Sequence, residues 1–591
     1  MLNNLKKRIA SLRKLMRENN MDAYIVPHND EYLSEYVPPN KERLNWICGF
    51  SGSAGSLLVT LDKLFLFTDG RYLLQAKNET KGLKCEIINI SNESLYNFLK
   101  KNHLKYGQAG IDTKTISKSD YLSLKQAINN TSLKIKAIDH SLIDDLWKRE
   151  TKIQNTEEIF FLSQKYVGLS NNKKLDKIYS YLLQEKADYL FIQDSESVAW
   201  LNNLRGRDLP HTPITFCCSL ISKNDQKVFF ENSSIPANIK KKFPKKTKIF
   251  SLNKLEETLK KECKKKSKII VDQRRLSLFN YNVFNKVSDN IISKNDIILS
   301  LRSIKNKTEI KCTEKAHILD GVALCKFLYW YKNYNGALTE LEIVKKINSI
   351  RKKNKYFICT SFPTIAGAGK NGAIIHYQPN ETLNKKINKA DILLLDSGGQ
   401  YFYGTTDVTR TISRSKKNDR KVKFDYTTVL KSHINVNLSI FPPGAPGSFL
   451  DVVARKKLWE VGEDFAHSTG HGVGFCLNVH EGPFSISLKN KLPIYDNMVF
   501  SNEPGLYRNG KYGIRIENLV YTKKINYNKK KFIILETLTL APYERELIDA
   551  SLLNHKEKKW LNNYHKSVIK NIGPFLNKKE KIWLKNQCKE I

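Results

Sequence analysis

Residues 391–411 read DILLLDSGGQYFYGTTDVTRT. Ile392 to Leu395 form an apolar run that ends in Asp396, a glycine pair follows, and Asp407 comes eleven residues after Asp396. An apolar run, a Gly-rich turn and a returning β-prone run predict a hairpin. Its two ends then lie side by side and present both carboxylates to one point. Side chains that converge at strand ends are how a rigid scaffold builds a site.

Three further stretches have the same style. In NMVFSNEPGLY (497–507), Glu503 follows an apolar strand and precedes a Pro-Gly turn. In YGIRIENLVY (512–521), strand alternation puts Ile514, Ile516 and Asn518 on one face, and Arg515 and Glu517 together on the other, inward one. FAHSTGHGVGFCLNVHEGP (465–483) holds three of the chain's 12 histidines, His467, His471 and His480, among four glycines. Glycine lets a backbone pass close to a neighbour or adopt φ > 0. Carboxylates crowded together repel one another unless cations sit among them. Four acids and a histidine form an oxygen-rich set, which suits hard or borderline divalent ions in a two-ion site better than a lone tetrahedral zinc.

The rest of the chain sets the frame. Its 591 residues exceed what one core can organise, and two to four domains are expected. With 41% hydrophobic and 27% charged residues the composition is that of a globular protein. The N-terminus lacks an apolar signal segment, and no apolar stretch is long enough to span a bilayer. The ten cysteines form no CxxC pair, so reduced thiols in the cytoplasm are expected, without a disulfide framework or a cysteine zinc site. The net charge of +40 raises nucleic-acid binding. The lysines are spread widely and no nucleic-acid motif accompanies them, so a solvated basic surface is expected, with weak polyanion binding at low salt and no specific nucleic acid or membrane partner.

An internal echo gives the organisation. LRKLMRENNMDAYIVPHND (12–30) is a helix pattern leading into a strand and an Asn-Asp turn, and YSYLLQEKADYLFIQDSES (179–197) repeats it. A tryptophan follows each, Trp46 and Trp200. Two similar α/β domains are predicted, over 1–150 and 151–304. SKIIVDQ (267–273) and NDIILSLRSIKN (295–306) read as strands; a long helix then opens with Thr308 as its expected N-cap, and a second helix covers 338–354. The site-bearing domain runs over 305–545. The basic tail 546–591 is read as a packed, amphipathic helical element. The fold class is α/β (α+β).

The ordered motifs DSGGQY, TTDVTRT, HSTGHGVG, NVHEGP, SNEPG and GIRIEN resemble the pita-bread metallopeptidases. Two upstream domains, EYVPPNKERLNWICGFSGSAG and FTDGRYLLQA in the first, WLNNLRGRDLP in the second, and WLNNYH in the tail are similar to the three-domain, cytosolic type of aminopeptidase P, the Xaa-Pro aminopeptidases. The resemblance covers the whole chain. It implies metal ligands Asp396, Asp407, His471, Glu503 and Glu517, with Asp407 and Glu517 bridging two divalent ions, most often Mn2+, about 3.5–4 Å apart. It implies that His376 (in NGAIIHYQP), His467 and His480 contact substrate, that Glu503 moves the proton of a hydroxide held by the two ions, and that Arg71 lies near the bound peptide. The first peptide bond of a chain with proline second would be hydrolysed, by a homodimer. Beside these implications, Arg71 next to Asp69 also reads as a local ion pair. The family usually has glycine where Ser468 stands, so a φ > 0 there would strain the loop by about 1–2 kcal/mol. Prolidases share the ligand set but have one N-terminal domain, and binding proteins of the fold lose ligands that are present here.

Overall fold

A computed structural model describes residues 2–148, 159–231, 235–381 and 383–591; the expected boundary at 150/151 lies outside the described residues. The chain forms two compact units, the first made of Met1–Leu162, Leu169–Pro210 and Ile214–Ile298, the second of Ser163–Gly168, His211–Pro213 and Leu299–Ile591.

In the first unit the sequence echo is a repeat of topology. The helix Leu2–Glu18 buries Leu5, Ile9, Leu12 and Met16, one stripe at helical spacing. It leads into β1 (Ala23–Pro27), followed by β2 (Ser56–Thr60), β3 (Leu64–Thr68), β4 (Cys85–Asn89), β5 (Gln108–Asp112) and β6 (Lys134–Ile138). The sheet order is β4-β3-β2-β1-β5-β6. After β7 (Phe160–Phe161), the helix Asn171–Gln184 buries Leu175, Ile178 and Leu182 and leads into β8 (Tyr189–Ile192). β9 (Leu204–Arg205) pairs with β7. With β10 (Cys217–Ser222), β11 (Gln226–Phe230), β12 (Thr247–Ser251), β13 (Lys268–Val271) and β14 (Asn290–Ser293), the second sheet is ordered β12-β11-β10-β8-β13-β14. β1 and β8 occupy the same place, each antiparallel to one neighbour and parallel to the other. Trp46 and Trp200 lie on the helices Arg43–Cys48 and Ser195–Asn202, the first helix after each of these strands.

Two expectations at the junction are corrected. Residues 295–306 do not form a strand: Ile297–Ser303 is a helix. A short apolar run does not by itself distinguish strand from helix, and Asp296 settles the matter locally by accepting the Ile298 N–H at 2.8 Å, as a helix-starting residue does. The next helix, Lys307–Asn333, is capped by Asn306 and not by Thr308. Asn306 accepts the N–H of Thr308 and Glu309, and the Glu309 carboxylate accepts the Asn306 N–H in return. Only Asn306 has a glutamate three residues on, which the reciprocal cap requires.

The second unit contains β15 (Phe357–Thr360), β16 (Ile365–Ala368), β17 (Ile392–Ser397), β18 (Gly399–Tyr401), β19 (Gly404–Thr405), β20 (Val408–Ser413), β21 (Gly470–His471), β22 (Ser485–Ile486), β23 (Val499–Asn502), β24 (Gly505–Arg508), β25 (Tyr512–Arg515), β26 (Asn518–Tyr527) and β27 (Lys530–Thr537). They form small sheets, β15-β18-β19, β16-β17-β20, β23-β26-β27, β24-β25 and β21-β22. The predicted hairpin is present as the antiparallel pair β17 and β20, with Asp396 opposite Thr409. The link between them forms β18 and β19, which join β15. Gly398 makes that turn possible, because a Cβ there would lie 2.0 Å from the Thr406 carbonyl oxygen. The tail is packed as expected: in the helix His555–Ile572, Leu561, Tyr564, Val568 and Ile572 join one core with Tyr426, Val429 and Ile434 of the helix Arg420–Asn437.

A buried ion pair ties the helices Lys307–Asn333 and Glu340–Arg351 to β18. Arg351 holds Asp320 through two hydrogen bonds of 2.7 and 3.0 Å, and the Tyr401 hydroxyl donates to the same carboxylate at 2.8 Å. Removing one partner strands the other charge in the core, at a cost of about 3–5 kcal/mol. Asp320→Ala is therefore expected to lower the thermal midpoint of the unit's unfolding by several degrees in calorimetry, and an unchanged midpoint would contradict this role.

Candidate metal centre

The pair β17 and β20 brings Asp396 and Asp407 to one end of a sheet. Asp396 faces Thr409 across the pair, and Asp407, two residues before Thr409, shares its face. Next to them comes Glu517, whose N–H donates to the Thr409 carbonyl at 3.2 Å while its Oε2 accepts the Thr409 hydroxyl at 2.9 Å. The continuous strand expected over 512–521 is interrupted: β25 ends at Arg515 and β26 begins at Asn518. Arg515 and Glu517 nonetheless point the same way, as alternation predicted, because both bond the Thr409 hydroxyl, Arg515 Nε at 3.2 Å.

His471 and Glu503 complete the group. His471 Nε2 lies 3.5 Å from Asp407 Oδ2 and 3.4 Å from Glu503 Oε1. Its Nδ1 donates to the Gly472 carbonyl at 3.0 Å, which aims Nε2 at the carboxylates. Ser501 joins the two elements: its hydroxyl oxygen accepts the His471 N–H and its proton goes to Glu503 Oε1. The glycines of this stretch serve close approach and not φ > 0. A Cβ on Gly470 would lie 1.9 Å from the Ser501 carbonyl oxygen, and one on Gly472 would lie 2.3 Å from that of Glu481. Ser468 does not adopt a positive φ, so the strain expected there is absent.

The other histidines sit around this group. The His480 and His471 rings meet edge to face, centroids 4.3 Å apart. His467 Nδ1 donates to the Ser468 carbonyl, and its Nε2 lies 2.9 Å from the Tyr507 hydroxyl, which also accepts from Arg515 Nη1 at 2.7 Å. Arg515 thus connects His467 to Asp396, which its Nη2 holds at 2.6 Å. Its Nη1 also donates to the carbonyl of Ile375, the residue before His376. Arg515 belongs to this network, on the face that alternation gives it with Glu517; Tyr507 and Thr409 carry no such signal in the sequence. Arg71 belongs to the first unit, where it holds Asp69 through two hydrogen bonds of 2.9 and 2.7 Å, the local ion pair weighed above.

The electrostatics of the group call for cations. Burial drives the Asp396 carboxyl up to about 7 against the pull of Arg515, and Asp407 and Glu503 add to the rise. Burial and the neighbouring carboxylates push Glu517 well above its ordinary range. Burial disfavours a charged His471, but Asp407 and Glu503 outweigh it and carry the imidazole up to about 9. Asp396 Oδ1, Asp407 Oδ1 and Glu517 Oε1 are buried without a hydrogen-bond partner. Ligand atoms of Asp407, His471 and Glu517 lie within 4.8 Å of one another. Buried acceptors without donors, beside a histidine whose Nε2 faces them, fit divalent metal ions once that nitrogen gives up its proton.

The comparisons agree with this geometry. Residues 311–524 match the model of metallopeptidase family M24, 531–591 that of the C-terminal region of peptidase M24, and 8–146 and 150–309 each match a creatinase/prolidase N-terminal domain. Xaa-Pro aminopeptidase 1 of Dictyostelium discoideum is 37% identical over 97% of this chain and 94% of its own length. A probable Xaa-Pro aminopeptidase P of Laccaria bicolor is 35% identical over 97% of this chain and 91% of its own. The chain belongs to the aminopeptidase P family. The crystal structure of the X-prolyl aminopeptidase of Caenorhabditis elegans, described as a cytosolic enzyme with a di-nuclear active site, superposes with a TM-score of 0.94 at 29% identity, over 99% of this chain and 100% of that one.

Ion binding requires ionised carboxylates and a neutral His471. With Asp396 titrating near 7 and His471 near 9 in the ion-free protein, ions that bind at neutral pH expel protons. Apparent Mn2+ affinity is therefore expected to rise with pH through this window. Calorimetric titration in buffers of different ionisation enthalpy reads the proton release directly, and a heat independent of buffer would contradict it.

Proposed function

We propose that this protein is a metal-dependent aminopeptidase that removes the N-terminal residue from peptides with proline in second position. The observation that carries this is the convergence of Asp396, Asp407, His471, Glu503 and Glu517, with buried carboxylate oxygens left without donors. These five residues would hold two divalent ions, Mn2+ on this reading. Bound there, the ions supply Lewis acidity toward the scissile carbonyl and toward water.

The chain's own residues do the rest. Glu503, oriented by Ser501, takes a proton from the attacking water and passes it on. His480 donates to the developing oxyanion. The leaving proline nitrogen has no hydrogen of its own and must be protonated, and His467, in contact with the Tyr507 hydroxyl, is placed to do so. His376 contacts substrate, and Asp396 draws the free α-amine toward the ions, which limits cleavage to one residue. Arg71 is assigned to the peptide beyond the proline, where a guanidinium pairs with carbonyls or a terminal carboxylate.

The proposal keeps the division 1–150, 151–304, 305–545 and 546–591. It includes a homodimer, supported by Phe449, Val452 and Trp459, which leave 40, 44 and 43% of their surface exposed along the helix Gly447–Trp459. A cytoplasmic location accords with ten free cysteines.

The direct test is hydrolysis of an Xaa-Pro-Xaa tripeptide with and without Mn2+; a metal-replete protein that leaves the peptide intact would refute the reading. Glu503→Gln is expected to lower kcat by at least about 100-fold, and near-normal turnover with full metal content would remove Glu503 from its role. Arg71→Ala is expected to raise KM for the same tripeptide, at a cost of about 1.5–3 kcal/mol, with metal content and thermal midpoint unchanged. Unchanged kinetics would leave Arg71 as the partner of Asp69 alone.

A further inference from the structure

The segment that carries His376 has an anchor of its own. Glu340 opens the helix Glu340–Arg351 and is fully buried. Its Oε1 accepts the Ala368 N–H at 2.7 Å and the Asn371 side-chain amide at 3.0 Å. Its Oε2 accepts the Tyr377 hydroxyl at 2.7 Å, the Lys385 N–H at 2.9 Å and the Asn371 amide at 3.1 Å. All these donors belong to the stretch 368–385, so one carboxylate gathers both ends and the middle of a segment that enters and leaves the His376 position. Hydrogen bonds to an ionised acceptor are short, directional and about twice as strong as neutral ones.

His376 sits between two clamps. On one side the Ile375 carbonyl accepts from Arg515, whose other nitrogen holds Asp396. On the other side Tyr377 is held by Glu340. Glycines take out the slack: a Cβ on Gly513 would lie 1.8 Å from the Gly372 carbonyl oxygen, so the segment lies directly against β25, the strand that bears Arg515. The register of His376 relative to the ion-binding group is therefore set by Arg515 from one direction and by Glu340 from the other.

We propose that Glu340 is a positioning residue for the hydrolysis, acting through His376 by fixing the 368–385 segment with an acceptor-only side chain. The inference rests on the reading of His376 as a substrate-contacting residue. Acceptance at both oxygens matters because two of the partners are backbone N–H groups, which cannot reverse. A glutamine amide would set its own N–H against one of them or against Tyr377.

The test is a double-mutant cycle on an Xaa-Pro-Xaa tripeptide with the full-length, Mn2+-loaded protein, metal content being measured on each variant. Glu340→Gln is expected to lower kcat/KM by about 10- to 100-fold, the scale of a misplaced contact, with metal content unchanged. In a His376→Ala background the same change is expected to cost less than about threefold, since the group it positions is gone. An equal penalty in both backgrounds, a penalty that follows metal loss, or no penalty in the wild-type background would overturn the proposal. Wild-type turnover of His376→Ala alone would instead refute the reading of His376, and with it the role given to Glu340. Should Glu340→Gln not fold, Tyr377→Phe, which removes one donor and keeps the carboxylate, replaces it in the same cycle with the same expected non-additivity and the same refuting outcome.

Discussion

Four carboxylates gathered in one largely buried group constrain the rest of the catalytic unit. Asp396, Asp407 and Glu517 are each at least nine-tenths buried, and Glu503 lies beside them. Such a group repels itself and loses its hydration, so the chain must hold each acid in place before any ion arrives. The scaffold does this with pairs of strands and with hydroxyls. Thr409 donates to Glu517 and Ser501 to Glu503, while the backbones of β17, β20 and the 516–517 break fix the carbon positions.

Two buried arginines answer the negative charge from behind. Arg515 pairs with Asp396 and through Tyr507 reaches His467. Arg410 works on the backbone: its guanidinium donates to the carbonyls of Thr409, Glu517, Ala541 and Pro542, to the Asn518 side chain, and to the Tyr564 hydroxyl. It lies 4.5 Å from the centroid of the Tyr543 ring. The residue after one strand's Thr409, the break that carries Glu517 and the tail helix that carries Tyr564 are thereby joined in one network. This is the physical sense in which the tail is part of the catalytic unit, and it explains why its apolar stripe shares a core with the helix Arg420–Asn437.

Much of this was legible in the sequence, and the parts that were not have identifiable causes. Asp396, Asp407 and Glu503 announced themselves because each sits where an apolar run meets a turn, a pattern set by local chemistry. The repeated helix-strand-tryptophan order foretold two like sheets because each unit buries the same kind of stripe. Residues 295–306 read as a strand because seven apolar-rich residues fit either period, and the side chain that decides, Asp296, acts through one hydrogen bond. The break at 516–517 was hidden because alternation continues through it: the side-chain period survives while the ladder changes partner. Ser468 looked strained only on the assumption that the family's glycine serves a left-handed φ. Arg410 and Glu340 carry no signal in the sequence, since most of Arg410's partners lie more than a hundred residues away and Glu340's lie in the separate stretch 368–385.

The central claim is that these acids exist to hold two cations that make the site both stable and reactive. The most direct measurement is metal stoichiometry by plasma mass spectrometry on protein equilibrated with Mn2+ and dialysed, read beside hydrolysis of an Xaa-Pro-Xaa peptide before and after chelation. The account predicts two ions per chain, and activity that disappears with them and returns on their restoration. A chain that retains no ion, or one that cleaves the peptide equally well after complete chelation, would contradict it.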